Sequence, residues 1–230
     1  MKSNKTIARI YGIFFLLAYV VYILGNLLVG SIMNAPNDLS HVYANKSQVI
    51  SGAILMSVIE TFFNVGLAVI MFTILKKYNR NIAYGYFSAA IMATLMLVVG
   101  AIFLLLLVPL SDEFVKAGSI DSAYFQTINV LCKKGNFFSY QTGMVIWGLG
   151  GLMFCYLLYI SRLVPRLIAV WGFIGYIIFI SGAILSLFGC SVDVLLDIPG
   201  GLFEIFLSIW LIVKGFNSSA IASGTDGANN

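Results

Sequence analysis

Residues 48–75, QVISGAILMSVIETFFNVGLAVIMFTIL, form an apolar run with a single ionisable side chain, Glu60, and with Asn64 one helical turn after it. The run is too long for a strand, and it exceeds the roughly 20 residues a helix needs to cross a hydrocarbon core. Wound at about 100° per residue, it sorts into two faces. Ala53, Ser57, Glu60, Asn64 and Ala68 share one side, whereas Ile54, Leu55, Val58, Phe62, Val65, Val69 and Phe72 share the other. A carboxyl at membrane depth costs about 2.5–3.5 kcal/mol even on the lenient insertion scales. The small and polar stripe is therefore expected to face other protein or a wet cavity.

Five further runs of the same kind flank this one: Ile10–Ile32, Ile82–Val108, Phe138–Ile160, Leu167–Gly189 and Pro199–Val213. Across 230 residues the chain is 60% hydrophobic and only 10% charged, against about 25% charged in an ordinary soluble domain. The fold class is thus all-α: a polytopic membrane protein, a bundle of six transmembrane helices over residues 1–216. The net charge of +4 does not point to nucleic acid, because the basic residues never form a patch. They alternate between loops instead. Lys2, Lys5 and Arg9, then Lys76, Lys77 and Arg80, then Arg162 and Arg166, then Lys214 all fall on one side; Lys46, Lys116, Lys133 and Lys134 fall on the other. By the positive-inside rule both termini are expected in the cytoplasm of a cell-membrane protein. The first run is read as an uncleaved anchor, being too long for a signal-peptide core.

The loops add little chemistry. His41, the only histidine, stands near Asp38 without enough further donors for a metal site. Asn26 either bonds to a neighbouring helix or sits at the membrane interface, the second being the simpler reading. In the long third connection Tyr124, Phe125, Ile128, Leu131 and Cys132 recur at helical spacing. Ser119 or Asp121 can cap this stretch and Gly135 can end it, so a short amphipathic surface helix is expected there. Of the three cysteines, Cys132 and Cys190 fall on the outer side and are a candidate disulfide; three unpaired thiols are the simpler reading. The tail, 217–230, is small and polar, and is expected to be disordered in the cytoplasm.

The sixth run repeats the pattern of the second. Gly200, Gly201, Glu204, Ser208 and Leu211 share one side, with Leu202, Phe206, Ile209 and Val213 opposite. Counted along the helices, Glu204 lies roughly 15 Å from Lys214 and Glu60 roughly 24 Å from Lys76, both deep in the membrane. The fourth run, with Gly143, Gly148, Gly150, Gly151 and Trp147, is expected to pack closely on a neighbouring helix; an unwound binding segment is the alternative.

Several stretches together carry a resemblance. Ala8-Arg9-Ile10-Tyr11-Gly12, Tyr156 to Tyr159, Ser161 to Arg166, Trp171-Gly172-Phe173-Ile174-Gly175, Phe203-Glu204 and Trp210 to Phe216 resemble the bacterial and archaeal membrane family known as domain-of-unknown-function family 4386. The resemblance implies a six-helix membrane domain without an established activity. Its members often carry arginine and glutamate where this chain aligns Ala90 and Ala93, which removes a cationic partner for Glu60 or Glu204.

Two functional readings stand. In one, Glu60, Asn64, Glu204, Ser57 and Ser208 form an intramembrane site for a proton, a cation or a small polar ligand, the carboxyls staying protonated for want of a cation. In the other, the acids are neutral structural hydrogen-bonders, to backbone or to Ser57 and Ser208, in an accessory or regulatory subunit that contacts a membrane-protein partner. An enzyme is the weakest class. HExxH, GxSxG, a Cys/His cluster and an intramembrane histidine are all lacking, which leaves only carboxyl acid–base work on a lipid-phase substrate. No catalytic residue, metal or cofactor is assigned, and the partner that composition demands is the lipid bilayer.

Overall fold

The computed structural model describes residues 2–35, 38–118, 122–191 and 193–217. Eight α-helices follow one another: α1 (Lys2–Met33), α2 (Asp38–Ala44), α3 (Lys46–Ile54), α4 (Glu60–Leu75), α5 (Arg80–Ala117), α6 (Ser122–Ser161), α7 (Arg166–Leu187) and α8 (Asp193–Val213). A π-helical turn, Leu55–Ile59, joins α3 to α4, so that the two form one span, Lys46–Leu75. Among the described residues there are no strands, and six helices are long and apolar enough to cross a membrane.

The expected stripes match the burial. Ala53, Ser57, Glu60, Asn64 and Ala68 are buried, while Ile54, Val58, Phe62 and Val69 are exposed. In α8, Glu204, Ser208 and Leu211 are buried and Leu202, Phe206, Ile209 and Val213 exposed. The exposed faces are the ones a bilayer would solvate.

Three local expectations change. The surface helix is not a separate element: α6 runs unbroken from Ser122 to Ser161, so the amphipathic stretch is the N-terminal extension of the fourth span. Gly135 does not stop it, because a helical glycine costs only about 1 kcal/mol. Here it seats the Phe103 ring, where a Cβ would come within 2.6 Å. The third span likewise continues through Pro109 to Ala117. A proline removes one donor rather than ending the helix outright, and Ser111 Oγ supplies a nearby bond to the Val108 carbonyl at 2.7 Å. The first connection contains α2, whose Leu39 N–H donates to Asp38 Oδ1 at 3.0 Å. The capping residues expected at Ser119 or Asp121, and the tail beyond Asn217, lie outside the described residues.

The chain divides into two compact units. One comprises Met1–Leu17, Phe63–Thr94 and Gln141–Asn230; the other comprises Ala18–Phe62 and Leu95–Tyr140. In the first, Leu67, Met71, Leu75, Leu157, Leu207 and Leu211 are fully buried. Its α6 and α7 pack face to face at Gly151, where a Cβ would fall 2.5 Å from the Tyr176 ring. The second has a core of Val29, Ile32, Val42, Val49, Met56, Leu104, Leu107 and Cys132. There α1 and α3 touch backbone to backbone: a Cβ on Gly25 would lie 2.8 Å from the Gly52 carbonyl, and one on Gly52 2.9 Å from that of Gly25. Ion pairs Lys46–Asp112 and Lys133–Asp38 close its polar end.

Candidate functional site

The second unit holds a cavity of about 290 Å³. Residues of α1 and its end, of the π turn, and of α5 and α6 line it: Asn26, Asn34, Lys133, Asn136, Tyr22 and Tyr140 give the polar wall, with Val29, Met33, Met56 and Leu104 as the apolar one. The Tyr22 hydroxyl is hydrogen-bonded with Asn26 and with Tyr140, and the Glu60 carboxyl lies close enough to act on it electrostatically. The Tyr22 and Tyr140 rings stack at 5.8 Å with an interplanar angle of 18°. Glu60 itself is buried, at 7% exposure, at the first residue after the π turn. Such single π turns inside α-helices often mark functional positions.

At the same cavity the Lys133 ammonium donates to the Met33 carbonyl at 2.7 Å and pairs with Asp38. Asn129 Nδ2 donates to both Asp38 oxygens, at 3.0 and 2.9 Å. Burial pushes the Asp38 carboxyl up, but the Lys133 ammonium and the Asn129 amide outweigh it and hold it below the usual carboxylate range. The lysine is thereby balanced, and the cavity wall offers amides, phenols and one neutralised ammonium.

Glu204 belongs to the first unit and has a different environment. Tyr176 Oη donates to its Oε1 at 2.5 Å and Trp147 Nε1 donates to the same oxygen at 2.9 Å. Around them Tyr11, Phe15, Tyr86, Ala90, Phe154, Gly150 and Gly151 leave a cavity of about 10 Å³, room for one water at most. This aromatic box explains one glycine of the fourth span, since Gly151 is what allows the Tyr176 ring to reach the carboxyl.

Of the residues expected to form one site, Ser57 and Glu60 fall in the second unit and Asn64, Glu204 and Ser208 in the first. The two serines turn to their own helices: Ser57 Oγ donates to the Ala53 carbonyl at 2.6 Å and Ser208 Oγ to the Glu204 carbonyl at 2.7 Å. Asn64 is buried. Cys132, Cys155 and Cys190 are free thiols, the last one exposed. His41 is exposed on α2, and among the described residues no three His, Cys, Asp or Glu side chains converge on a metal position. Asn26 is not merely interfacial but takes part in the Tyr22 hydrogen bond and the cavity wall. Trp147 and Tyr176 are the partners that sequence reading missed; a tryptophan among four glycines was the signal available for the first.

The family described as domain of unknown function (DUF4386) matches residues 10–215, nearly the whole helical chain. The chain belongs to this family. No curated protein and no solved structure matches it. As a DUF4386 protein it is an integral membrane protein of unknown activity, and the resemblance carried by Trp171-Gly172, Phe203-Glu204 and Trp210 to Phe216 is borne out. The DUF4386 description names no reaction, so the chemistry has to be argued from the two polar clusters above.

Proposed function

We propose that this chain is one six-span domain of the cell membrane, with both termini in the cytoplasm, that binds a small polar ligand in the cavity of its second unit. One observation carries the reading: a cavity of about 290 Å³ whose polar wall is amides and phenols, among them the stacked Tyr22–Tyr140 pair. A proton or a bare cation needs no such room, since one water occupies about 30 Å³ of liquid. Lys133 is balanced by Asp38, which favours a ligand that is neutral overall and rich in hydroxyl or amide groups. Glu60 acts on this wall electrostatically, through Tyr22, whose phenol is held by Asn26 and Tyr140.

Glu204 is read differently, as a structural hydrogen-bonder. Two donors on one carboxyl oxygen and a space of about 10 Å³ support that role. The two carboxyls therefore separate into one functional and one structural group.

The test is thermal unfolding of the detergent-purified protein against a panel of polyols, amides, amino acids and monovalent cations. A ligand at 100 times its Kd stabilises the folded state by about 2.7 kcal/mol. Wild type and Glu204→Gln are expected to show the shift for a polyol or amide, and Glu60→Gln to fold but lose it. Equal shifts in all three proteins would remove Glu60 from the site. If no compound stabilised the wild type, both acids would be structural, as in an accessory subunit.

A further inference from the structure

In the first unit, the α6–α7 turn and the end of α8 enclose an open groove of about 500 Å³. Its floor is apolar: Leu163, Val164 and Phe216 are buried, and the Asn217 N–H donates to the Leu163 carbonyl at 2.9 Å, closing one wall. Its rim is cationic, with Arg162, Arg166 and Lys214 all exposed. Two more cations approach α8 from α1. Arg9 Nε donates to the Ile212 carbonyl at 3.1 Å, and the Lys5 side chain lies 3.3 Å from where a Cβ on Gly215 would stand.

The ion pairs Lys46–Asp112, Lys116–Glu113 and Lys133–Asp38 all belong to the second unit. The acids of the first unit's described residues are on α8, at or before Glu204, which is some 15 Å along the helix from Lys214. The C-terminal ends of α6 and α8 contribute about half a negative charge each, too little to offset three to five cations. Arg162 also has φ 54°, the one described non-glycine residue in the left-handed region. Asparagine or glycine would sit there more easily, so an arginine held in that conformation suggests that its side chain is needed.

A second feature indicates what kind of anion fits. Trp210, which lines the groove, continues into an outward aromatic ladder: Trp210 to Phe206 at 6.2 Å and Phe206 to Trp171 at 5.3 Å between ring centres. Phe206 and Trp171 are 40% and 37% exposed. Cations, then a tryptophan, then exposed aromatics follow the order of headgroup, interface and acyl chain.

We propose that this groove is a phospholipid site, which takes the phosphate of an anionic headgroup on Arg162, Arg166 and Lys214 and lays an acyl chain along Trp210, Phe206 and Trp171. It is independent of the ligand reading of the second unit.

The experiment is native mass spectrometry of the full chain titrated with phosphatidylglycerol or phosphatidylcholine, with inorganic phosphate as competitor. The variant carries Arg162→Asn, Arg166→Gln and Lys214→Gln, asparagine being tolerant of the positive φ. A control neutralises Lys76, Lys77 and Arg80 in the same unit. Wild type and control are expected to bind one phosphatidylglycerol roughly a hundredfold more tightly than phosphatidylcholine, a factor of about five for each groove cation. The variant loses that preference, and phosphate does not compete. No preference in the wild type, equal loss in the control, or an unchanged variant would overturn the site. Full competition by phosphate would overturn the lipid and make a free phosphate the ligand. Should the variant not fold, brominated lipids decide: brominated phosphatidylglycerol quenches wild-type tryptophan fluorescence more than brominated phosphatidylcholine, and equal quenching contradicts the proposal.

Discussion

Asp38 is almost fully buried, and three groups hold its charge: the Lys133 ammonium, the Asn129 amide and the Leu39 N–H. Its folded pKa lies below the ordinary value of about 3.9. A carboxyl of this kind contributes stability that is present above the unfolded pKa and is lost as pH falls through the folded one. Asp38→Asn is therefore expected to destabilise the protein by about 1–3 kcal/mol at pH 7, and the gap from wild type should narrow as pH falls below the unfolded pKa of about 3.9. Thermal unfolding across pH checks it; a gap that does not narrow with falling pH would mean that the carboxyl's charge is not what matters. Glu204 contrasts with this at the same scale. Its two donors are a phenol and an indole, neutral groups, which suits a carboxyl kept inside a membrane without a cation.

At the scale of elements, the π turn Leu55–Ile59 bears on where Glu60 points. In a regular helix one extra residue rotates everything after it by about 100° relative to everything before it, and the wider π turn absorbs that rotation. Deleting Val58, which is exposed, should therefore leave a regular helix with Glu60 still on the face toward Tyr22. The expected result is a protein that keeps the ligand-induced shift, while inserting an alanine after Val58 turns Glu60 away and abolishes it. An insertion variant that binds as well as wild type would show that the direction of the carboxyl has no part in binding.

The spans and their inward faces were legible because burial in a bundle follows a simple rule: small and polar residues inward, large aliphatic ones outward. Ala53, Ser57, Glu60 and Asn64 obeyed it, as did Glu204 and Ser208. The π turn was not legible, since Leu55 to Ile59 are ordinary helix formers and a one-residue insertion leaves no mark in composition. The extensions of α5 and α6 past Pro109 and Gly135 were missed because these residues were given the weight of stop signals, while tertiary packing, such as Phe103 against Gly135, overrode them. Of the proposed site, Glu60 stood out by its cost, but the amides and phenols of the cavity, Asn136 and Tyr140 among them, come from a helix distant in sequence and carried no signal of their own.

For the whole molecule, the proposed orientation can be read from a natural probe. Cys190 is exposed whereas Cys132 and Cys155 are buried, and it lies in the connection between α7 and α8, on the side assigned to the exterior. A membrane-impermeant thiol reagent applied to intact cells should label the wild type and not Cys190→Ser. Labelling only after permeabilisation would invert the topology.

The central claim is that the cavity of the second unit is a binding site, and Gly30 offers the most direct way to test it. This residue lines the cavity, and a Cβ placed on it would meet only Asn26 Oδ1, at 3.7 Å, so a side chain can grow into the space without striking backbone. In a helix interior glycine is worth about 1 kcal/mol less than a good helix former. Gly30→Leu should therefore be as stable as wild type or slightly more so, yet blocked. The measurement is the ligand-induced thermal shift of wild type beside Gly30→Leu, using the compound that best stabilises the wild type. The account predicts a preserved or raised baseline Tm with the shift abolished; a shift of equal size in both proteins would contradict it, because the ligand would then be binding somewhere else.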